Sequence, residues 1–451
     1  MGIAGAGMSA LALIARHLGM AITGCDSDPS GAADLAALGV QVWRGHDPGH
    51  VADARAVVVT AAVPGDHPEL AGAHALRIPV VRRADALGEL VAGGTVVAVA
   101  GTHGKTTTTA MVTEALTAAG RNPTGLAGGR VAQWRGNARV GSRDLFVVEA
   151  DEFDRAFLAL TPTVAVVNNV EADHLECYGT LAALEDGFIE FAQRARRVIV
   201  GADDAGAGRV AARLAGPVWR VGLAADADVR IRDVALEPDG SRARVDLPGG
   251  ASVALRLAAP GLHNVRNAAT ALAVVLALDG DVQAGARALA EFHGVERRFE
   301  RVGDAGGVTV VDDYAHHPTE VAATLAAARQ AFPGRRVVAV FQPHLYSRTA
   351  LHGEALGRAL AAADVVVVAP IYAAREQPMP GVTHDVVARG AMRAGAATVA
   401  VRERAGLAGH VARAVRSGDV VFTLGAGDVT RVGPELLDLL GTGDGGRRKE
   451  R

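Results

Sequence analysis

Short apolar runs rich in Val and Ile alternate with longer Ala/Leu stretches of helical period over nearly the whole chain. This is the pattern of strand–helix units stacked around parallel sheets, so the predicted fold class is α/β. The pattern falls into three parts. The first carries short runs at Ala21 to Thr23 and Ala56 to Val59 and fades between Arg82 and Gly94, which places a boundary near residue 82. The second opens with a strand at Val96 to Ala100 and continues through Leu145 to Val148 and Val164 to Val167. After Gly201 it breaks into short polar-alternating stretches, Val229 to Val234 and Ala243 to Leu247, which predict a small antiparallel appendage, and a helix from Asn264 to Leu278 closes it. Beyond Arg297 the third part has strands at Val308 to Val311, Val337 to Phe341, Val365 to Ala369 and Val420 to Leu424. Gly441 to Arg451, glycine-rich and charged, predict a frayed tail. The expected domains are 1–82, 83–297 and 298–451.

Two glycine-rich loops interrupt this pattern. Gly5-Ala6-Gly7-Met8-Ser9-Ala10 matches the G-x-G-x-x-G/A turn, in which backbone N–H groups and a helix N-terminus face a pyrophosphate. Asp26 follows at the end of the next apolar run, where an acidic side chain holds a ribose hydroxyl. The loop suits a dinucleotide or a nucleotide sugar, since both carry a pyrophosphate and a ribose. Met1 to Ala4 alone precede it, so the strand that should carry it is expected to be shortened.

The second loop is more specific. Val96 to Ala100 runs into Gly101-Thr102-His103-Gly104-Lys105-Thr106-Thr107 and then into a helix ending near Leu116. Strand, glycine loop, Lys-Thr and helix together cradle phosphates and set a Thr hydroxyl on Mg²⁺. Residue 99 is Val, so the loop is shorter than the general P-loop spacing. Its metal partners should lie at the carboxyl ends of neighbouring strands. One such end gives Glu149-Ala150-Asp151-Glu152, the other Asn168-Asn169-Val170-Glu171-Ala172-Asp173-His174. Hard Mg²⁺ favours Glu149; His174 is equally a ligand or a structural histidine.

Composition narrows the partners. Across 451 residues, 46 basic and 49 acidic side chains give a net charge of -3, without the basic surplus of a nucleic-acid binder. No apolar run reaches the roughly 18 residues of a membrane span. Cys25 and Cys177 cannot make a disulfide framework and no signal segment opens the chain, so a reducing cytoplasm is expected. Two lysines, Lys105 and Lys449, stand among the 46 basic residues. A lysine kept inside an arginine-rich chain points to a task that arginine does not perform.

The strings at 101–109 and 149–152, Asn-Val-Glu-Ala-Asp-His at 169–174, His-Asn-Val-Arg-Asn at 263–267, Arg-Arg-Phe at 297–299 and Asp-Asp-Tyr-Ala-His-His-Pro-Thr-Glu at 312–320 together resemble the Mur ligases. The resemblance runs through essentially the whole chain in the same order. It implies three domains: a Rossmann-like N-terminal domain for a UDP-sugar, a central P-loop-type ATPase domain and a Rossmann-like C-terminal domain for an amino acid. It further implies an ATP- and Mg²⁺-dependent ligase that joins UDP-N-acetylmuramate to L-alanine through an acyl phosphate, as a monomer or weak homodimer. By position, Lys105 would contact the ATP phosphates, Thr106 and Glu149 would hold Mg²⁺, and His174 would lie at a second ion. Asn264 and Asn267 match adenine-side asparagines, while Arg298 and Asp313 match the residues by which the third domain reaches the nucleotide. Tyr314, His316 and Arg348 fit the pocket for the amino acid and substrate carboxylates, with His316 either the base for the amine or an orienting hydrogen-bonder. Gly5, Gly7, Met8, Ser9 and Asp26 would serve the UDP-sugar. Ile371 to Ala374 and Leu424 to Asp428 also resemble the family, in packing and loop roles.

The chain departs from the family pattern at Ala4, at His67, where Asn is common before Pro68-Glu69, and at Arg375. Some relatives hold the second metal with a carbamylated lysine, and no lysine lies between 105 and 449 to do so. Three other readings compete: a ligase that adds a whole recycled peptide to the same UDP-sugar, a dinucleotide-dependent oxidoreductase, and a non-catalytic nucleotide sensor. The first shares every ATP residue; the second leaves the Lys105 loop without a role.

Overall fold

Residues 1–60, 63–374 and 376–446 are described by a computed structural model of the chain, so Arg375 lies outside the described residues. They form two compact units, one of residues 1–234, 242–257 and 265–295, the other of 235–241, 258–264 and 296–451.

The first part of unit one has four short strands: β1 (Thr23–Asp26), β2 (Gln41–Arg44), β3 (Val57–Val59) and β4 (Val80–Arg82). β1 pairs with β2 and β3 with β4, in parallel, as two separate sheets. Met1 to Ile3 run between them. The Gly2 and Ile3 amides donate to the Cys25 carbonyl at 2.9 and 3.1 Å, and the Met1 ammonium donates to the Val58 carbonyl at 2.8 Å. These residues stand where a central strand would lie and are too few to form a ladder. β1 begins at Thr23, not at Ala21 as the apolar run predicts, because the residues that pair with β2 include Gly24, Cys25 and Asp26. Sheet pairing there overrides the poor strand propensity of Gly and Asp.

Ten strands make the second sheet: β5 (Thr95–Ala100), β6 (Thr124–Val131), β7 (Gly136–Arg139), β8 (Leu145–Glu149), β9 (Val164–Val167), β10 (Arg197–Gly201), β11 (Val218–Gly222), β12 (Val229–Glu237), β13 (Gly240–Asp246) and β14 (Ser252–Leu257). Their order is β14-β13-β12-β11-β10-β9-β5-β8-β6-β7. β5 is parallel to both β8 and β9, and Val97 to Ala100 are fully buried, as a strand covered on both faces requires. This order brings the exits of β8 and β9 to either side of the loop after β5. The polar-alternating strands are no separate appendage: β12 pairs in parallel with β11 and carries β13 and β14 onto the same sheet. Alternation reported that one face of each strand is solvated and left open which edge the strand would extend.

The third sheet has β15 (Glu300–Ala305), β16 (Val308–Asp313), β17 (Val337–Phe341), β18 (Val365–Val368), β19 (Val399–Val401) and β20 (Val420–Leu424), in the order β15-β16-β20-β17-β18-β19. β15 is antiparallel to β16 and the remaining pairs are parallel. The expected frayed end is helical as far as it is described, in the helix Val432–Gly446. Leu436 is buried earlier in that helix, which packs on Val308 and Val310, and residues 447–451 of the expected tail lie outside the described residues. Among the described residues, no helix is long and apolar enough to cross a membrane.

Gly201, at the end of β10, sits against the backbone that leaves β9. A Cβ there would lie 2.0 Å from the Asn168 carbonyl oxygen. Gly201→Ala should therefore destabilise unit one by about 1–3 kcal/mol, read as a lower denaturant midpoint at unchanged m-value; an unshifted midpoint would show that the β9 exit yields freely.

Candidate functional site

The loop after β5 is shaped by two glycines in conformations that other residues adopt with strain. Gly101 has φ +132° and Gly104 has φ +76°, and the helix Lys105–Ala118 starts directly after. A Cβ on Gly101 would meet Asn168 and Asn169 at about 3.0 Å, so the loop and the β9 exit are in close contact. Side chains from that exit pin the loop. Asn169 Oδ1 accepts from the His103 amide at 2.7 Å, its Nδ2 donates to the His103 carbonyl at 3.2 Å, and Asn168 Nδ2 donates to the Thr108 hydroxyl at 3.1 Å. Thr102 Oγ1 accepts from the Glu171 amide at 2.9 Å, and His103 Nε2 meets Glu171 at 3.1 Å. The sequence reading placed metal chemistry in this exit and missed the bracing role of Asn168, Asn169 and Glu171. The signal available was a polar run at the end of a strand that neighbours the loop-bearing strand.

Lys105 curls back over the loop. Its Nζ donates to the Gly101 carbonyl at 2.8 Å and to both oxygens of Glu152, at 3.0 and 2.8 Å. Burial works to lower the lysine pKa, but the charges of Glu152 and Asp151 outweigh it and hold the ammonium well above its ordinary value. Glu152 is thus the partner of Lys105, a role that the spacing of 149–152 left undetermined. Glu149 accepts from the Gly128 amide and the Thr106 hydroxyl. Burial pushes its carboxyl above the usual range, against Lys105 and those two donors. A Cβ on Gly128 would come within 2.6 Å of this carboxylate, so the glycine keeps the space beside it clear. An oxygen-donor pair in a recess where the carboxylate is short of solvation fits a hard cation, which supports Glu149 and Thr106 as holders of Mg²⁺.

His174 adopts φ +54° ahead of a short helix. Its ring lies edge-on to Phe153 with centroids 5.1 Å apart, its Nδ1 is 3.3 Å from Glu176, and it groups with Asp151 and Glu152 rather than with Glu149. Asn267 presents Oδ1 toward Gly104, 3.0 Å from where a Cβ would stand, so it flanks the loop. Asn264 is buried one turn earlier and donates to the Pro260 carbonyl at 2.7 Å. Thr107 follows Thr106 in the first helical turn, part-exposed.

At the N-terminal glycine loop, Gly5 is exposed and precedes the helix Ala6–His17, with Gly7 half-buried in its first turn. Asp26 Oδ2 accepts from the Ala4 amide at 3.0 Å, which ties the end of β1 to the loop. The side chains of Met8 and Ser9 turn inward. Met8 is buried, and the Ser9 hydroxyl bonds the Ala6 carbonyl and Asn137 Nδ2 at 3.1 Å each.

Unit two gathers its candidates at the carboxyl ends of β16, β17 and β20. Asp313 accepts from the Phe299 and Ala315 amides, both at 2.8 Å. Burial raises its pKa to about 6 against the pull of Arg298 and those amides. Arg298 lies over the Tyr314 ring at 5.1 Å and 3.5 Å from Glu320. His316 Nδ1 is 2.9 Å from the Tyr314 carbonyl, which assigns the proton to Nδ1 and the lone pair to Nε2. Buried Arg348 donates to His344 Nδ1 at 3.3 Å, and the His344 ring stacks on Tyr372 at 5.7 Å. His344 and Glu320, which caps the His316 and His317 amides, are members that sequence reasoning did not single out. Gln342 joins the Asp428 carboxylate and the Val429 amide at 2.8 and 3.0 Å, a loop-holding role.

The chain matches three family models: "Mur ligase family, catalytic domain" over residues 1–95, "Mur ligase middle domain" over 99–275 and "Mur ligase, glutamate ligase domain" over 297–427. It is similar to the UDP-N-acetylmuramate–L-alanine ligase of Kineococcus radiotolerans, 48% identical over 98% of this chain and 95% of the relative. The enzyme of the same name from Cutibacterium acnes is 46% identical over 97% and 94%. Among solved structures, UDP-N-acetylmuramate-alanine ligase MurC of Thermotoga maritima superposes with a TM-score of 0.82 at 27% identity, covering 98% of both chains. A murein peptide ligase of Psychrobacter arcticus gives 0.73 at 26%, also over 98% of both.

The bracing of the loop can be probed directly. Asn169→Ala removes an acceptor and a donor that hold His103 and should weaken nucleoside triphosphate binding about tenfold, the equivalent of one charge-assisted or two neutral hydrogen bonds. Calorimetric titration with a non-hydrolysable ATP analogue reads this; an affinity equal to that of the parent chain would refute the bracing role.

Proposed function

The chain belongs to the Mur ligase family, and we propose that it joins the carboxylate of UDP-N-acetylmuramate to the amine of L-alanine, with cleavage of ATP to ADP and phosphate. It is an ADP-forming acid–amino-acid ligase of peptidoglycan precursor synthesis. The observation that carries this reading is the match, at 42 to 48% identity and nearly end to end, to enzymes of that name by a chain whose phosphate loop is complete. In the same reading the domains run 1–82, 83–297 and 298–451, and the enzyme works in the cytoplasm as a monomer or weak homodimer.

The muramoyl carboxylate attacks the γ-phosphorus of ATP and gives an acyl phosphate, with ADP leaving. Phosphoryl transfer of this kind is governed by positioning and charge neutralisation. The amides of Gly104, Lys105 and Thr106 at the N-terminus of the helix Lys105–Ala118 receive the phosphate oxygens, and Lys105 exchanges Glu152 for them. Thr106 and Glu149 would hold Mg²⁺ and His174 would lie at a further ion, which would supply additional neutralisation of phosphate charge. Asn264 and Asn267 serve the adenine side. Gly5 and Gly7 offer backbone to the UDP pyrophosphate, while Asp26 serves the ribose. Arg298 and Asp313 orient the nucleotide from the third domain.

The amine of L-alanine then attacks the acyl carbonyl. The nitrogen loses a proton as the tetrahedral intermediate forms, and the C–O bond to phosphate breaks. His316 is the base of this reading, since its Nδ1 is occupied by the Tyr314 carbonyl and its Nε2 keeps a lone pair. Arg348 and Tyr314 bind the carboxylate of the amino acid and the substrate. The murein peptide ligase similarity makes the acceptor the point to test, because the phosphate machinery is common to both activities.

Phosphate release from ATP should require both UDP-N-acetylmuramate and L-alanine, when L-alanine, D-glutamate, an L-alanine-led peptide and no acceptor are compared. Preference for the peptide would transfer the chain to the peptide-adding branch, and silence with every acceptor would overturn the ligase reading. His316→Gln should lower kcat by about 100-fold or more and remove the lower limb of its pH profile, as loss of a general base does. A fall of less than about tenfold with the pH profile unchanged would make His316 an orienting residue.

A further inference from the structure

A second constellation lies in the first part of unit one, built from side chains to which the proposed reaction gives no role. Glu69, in the first turn of the helix Pro68–Ala75, is completely buried, and donors converge on its carboxylate. Cys25 Sγ is 2.9 Å from Oε2, His50 Nδ1 is 2.8 Å from Oε1, the Asp47 amide donates to Oε1 at 3.2 Å, and His46 Nδ1 stands 3.6 Å from Oε2. The ligand atoms of Cys25, His50 and Glu69 lie within 4.8 Å of one another. Cys25 is in β1, His46 and His50 follow β2, and Glu69 follows β3, so one strand and the segments after two others deliver them to one point.

We propose that Cys25, His50 and Glu69 form a three-ligand binding site for a thiolate-accepting divalent transition metal, Zn²⁺ above all. The side-chain types decide the metal. Sulfur with imidazole and one carboxylate suits zinc and leaves Mg²⁺, which asks for oxygen, without a site. Orientation is set in advance: the His50 ring is stacked flat on Trp43, centroids 4.5 Å apart and 5° between planes, with Nδ1 aimed at Glu69. His67 is excluded although it adjoins His46. Its Nδ1 accepts the Glu69 amide at 3.3 Å, which leaves the proton of the neutral ring on Nε2 and no lone pair for a metal. It acts as the cap of the helix and as a wall beside His46, edge-on at 4.4 Å.

Without metal, the buried thiol is protonated and donates to Glu69. A cation entering between sulfur and carboxylate displaces that proton to solvent, and the His50 proton, on Nδ1 while that atom donates to Glu69, moves through solvent to Nε2 so that Nδ1 can bind. Nothing is oxidised or reduced. The bound ion would fasten β1, the segment after β2 and the helix Pro68–Ala75 to one another.

Cobalt reports on such a site, since Co²⁺ bound by a thiolate gives an intense near-ultraviolet charge-transfer band. The full-length, metal-free chain titrated with Co²⁺ should show this band, and Zn²⁺ but not Mg²⁺ should abolish it. Cys25→Ser should remove the band, Cys177→Ser should retain it, and His50→Gln should weaken Zn²⁺ binding by at least about tenfold, since loss of even an outer partner of a metal ligand costs that much. Circular dichroism confirms that each variant is folded. The carboxylate and histidine group at Asp151, Glu152 and His174 holds no sulfur and cannot mimic the signal. Absence of the band in the parent chain, or its persistence in Cys25→Ser, would overturn the proposal.

Discussion

The site rests on one electrostatic constraint: a buried ammonium held among carboxylates. Lys105 and Glu152 are 2.8 Å apart, with 13% and 1% of their side chains exposed. Removing one member of such a pair leaves an uncompensated buried charge, a loss of about 3–5 kcal/mol. The lysine therefore stays charged and the loop stays folded around it. The same pairing explains why a chain that uses arginine almost everywhere keeps a lysine here. A compact ammonium reaches the Gly101 carbonyl and both Glu152 oxygens from the first residue of a helix, whereas a planar guanidinium would need a wider recess.

Sheet order converts that constraint into a site. β5 lies between β8 and β9, so the loop after β5 meets the acidic exit of one neighbour and the amide-rich exit of the other. The first supplies Glu149 and Glu152; the second supplies Asn168, Asn169 and Glu171 as braces. Acidic groups face the place of positive charge and neutral amides fix the backbone. The third sheet follows the same rule, with Asp313, His344 and Leu424 at or just beyond the carboxyl ends of neighbouring parallel strands.

The first part of the molecule is held differently. With Met1 to Ile3 linking two small sheets, polar contacts do work that a long ladder would otherwise do. Asp26 holds the glycine loop, and buried Glu69 collects a thiol, two imidazoles and an amide. Such a carboxylate is stable when its lone pairs are well used, which this cluster achieves with donors from β1 and from the segment after β2.

Much of this was legible in the chain itself. The Val-rich runs located β5, β9, β17 and β20, because strands buried on both faces are uniformly apolar. The glycine loop with Lys105 and Thr106 pointed to phosphate chemistry, because positive φ and backbone approach demand glycine at fixed spacing. Sequence spacing could not say which of Glu149, Asp151 and Glu152 meets the lysine, that Ser9 and Met8 turn inward, or that Asn169 braces His103. Nor could it bring Cys25, His50 and Glu69 together. Those are choices made between residues far apart in sequence, and they depend on strand order and on which carboxylate burial leaves most in need of a partner. Local sequence determined what each segment can do; tertiary packing decided which groups do it to one another.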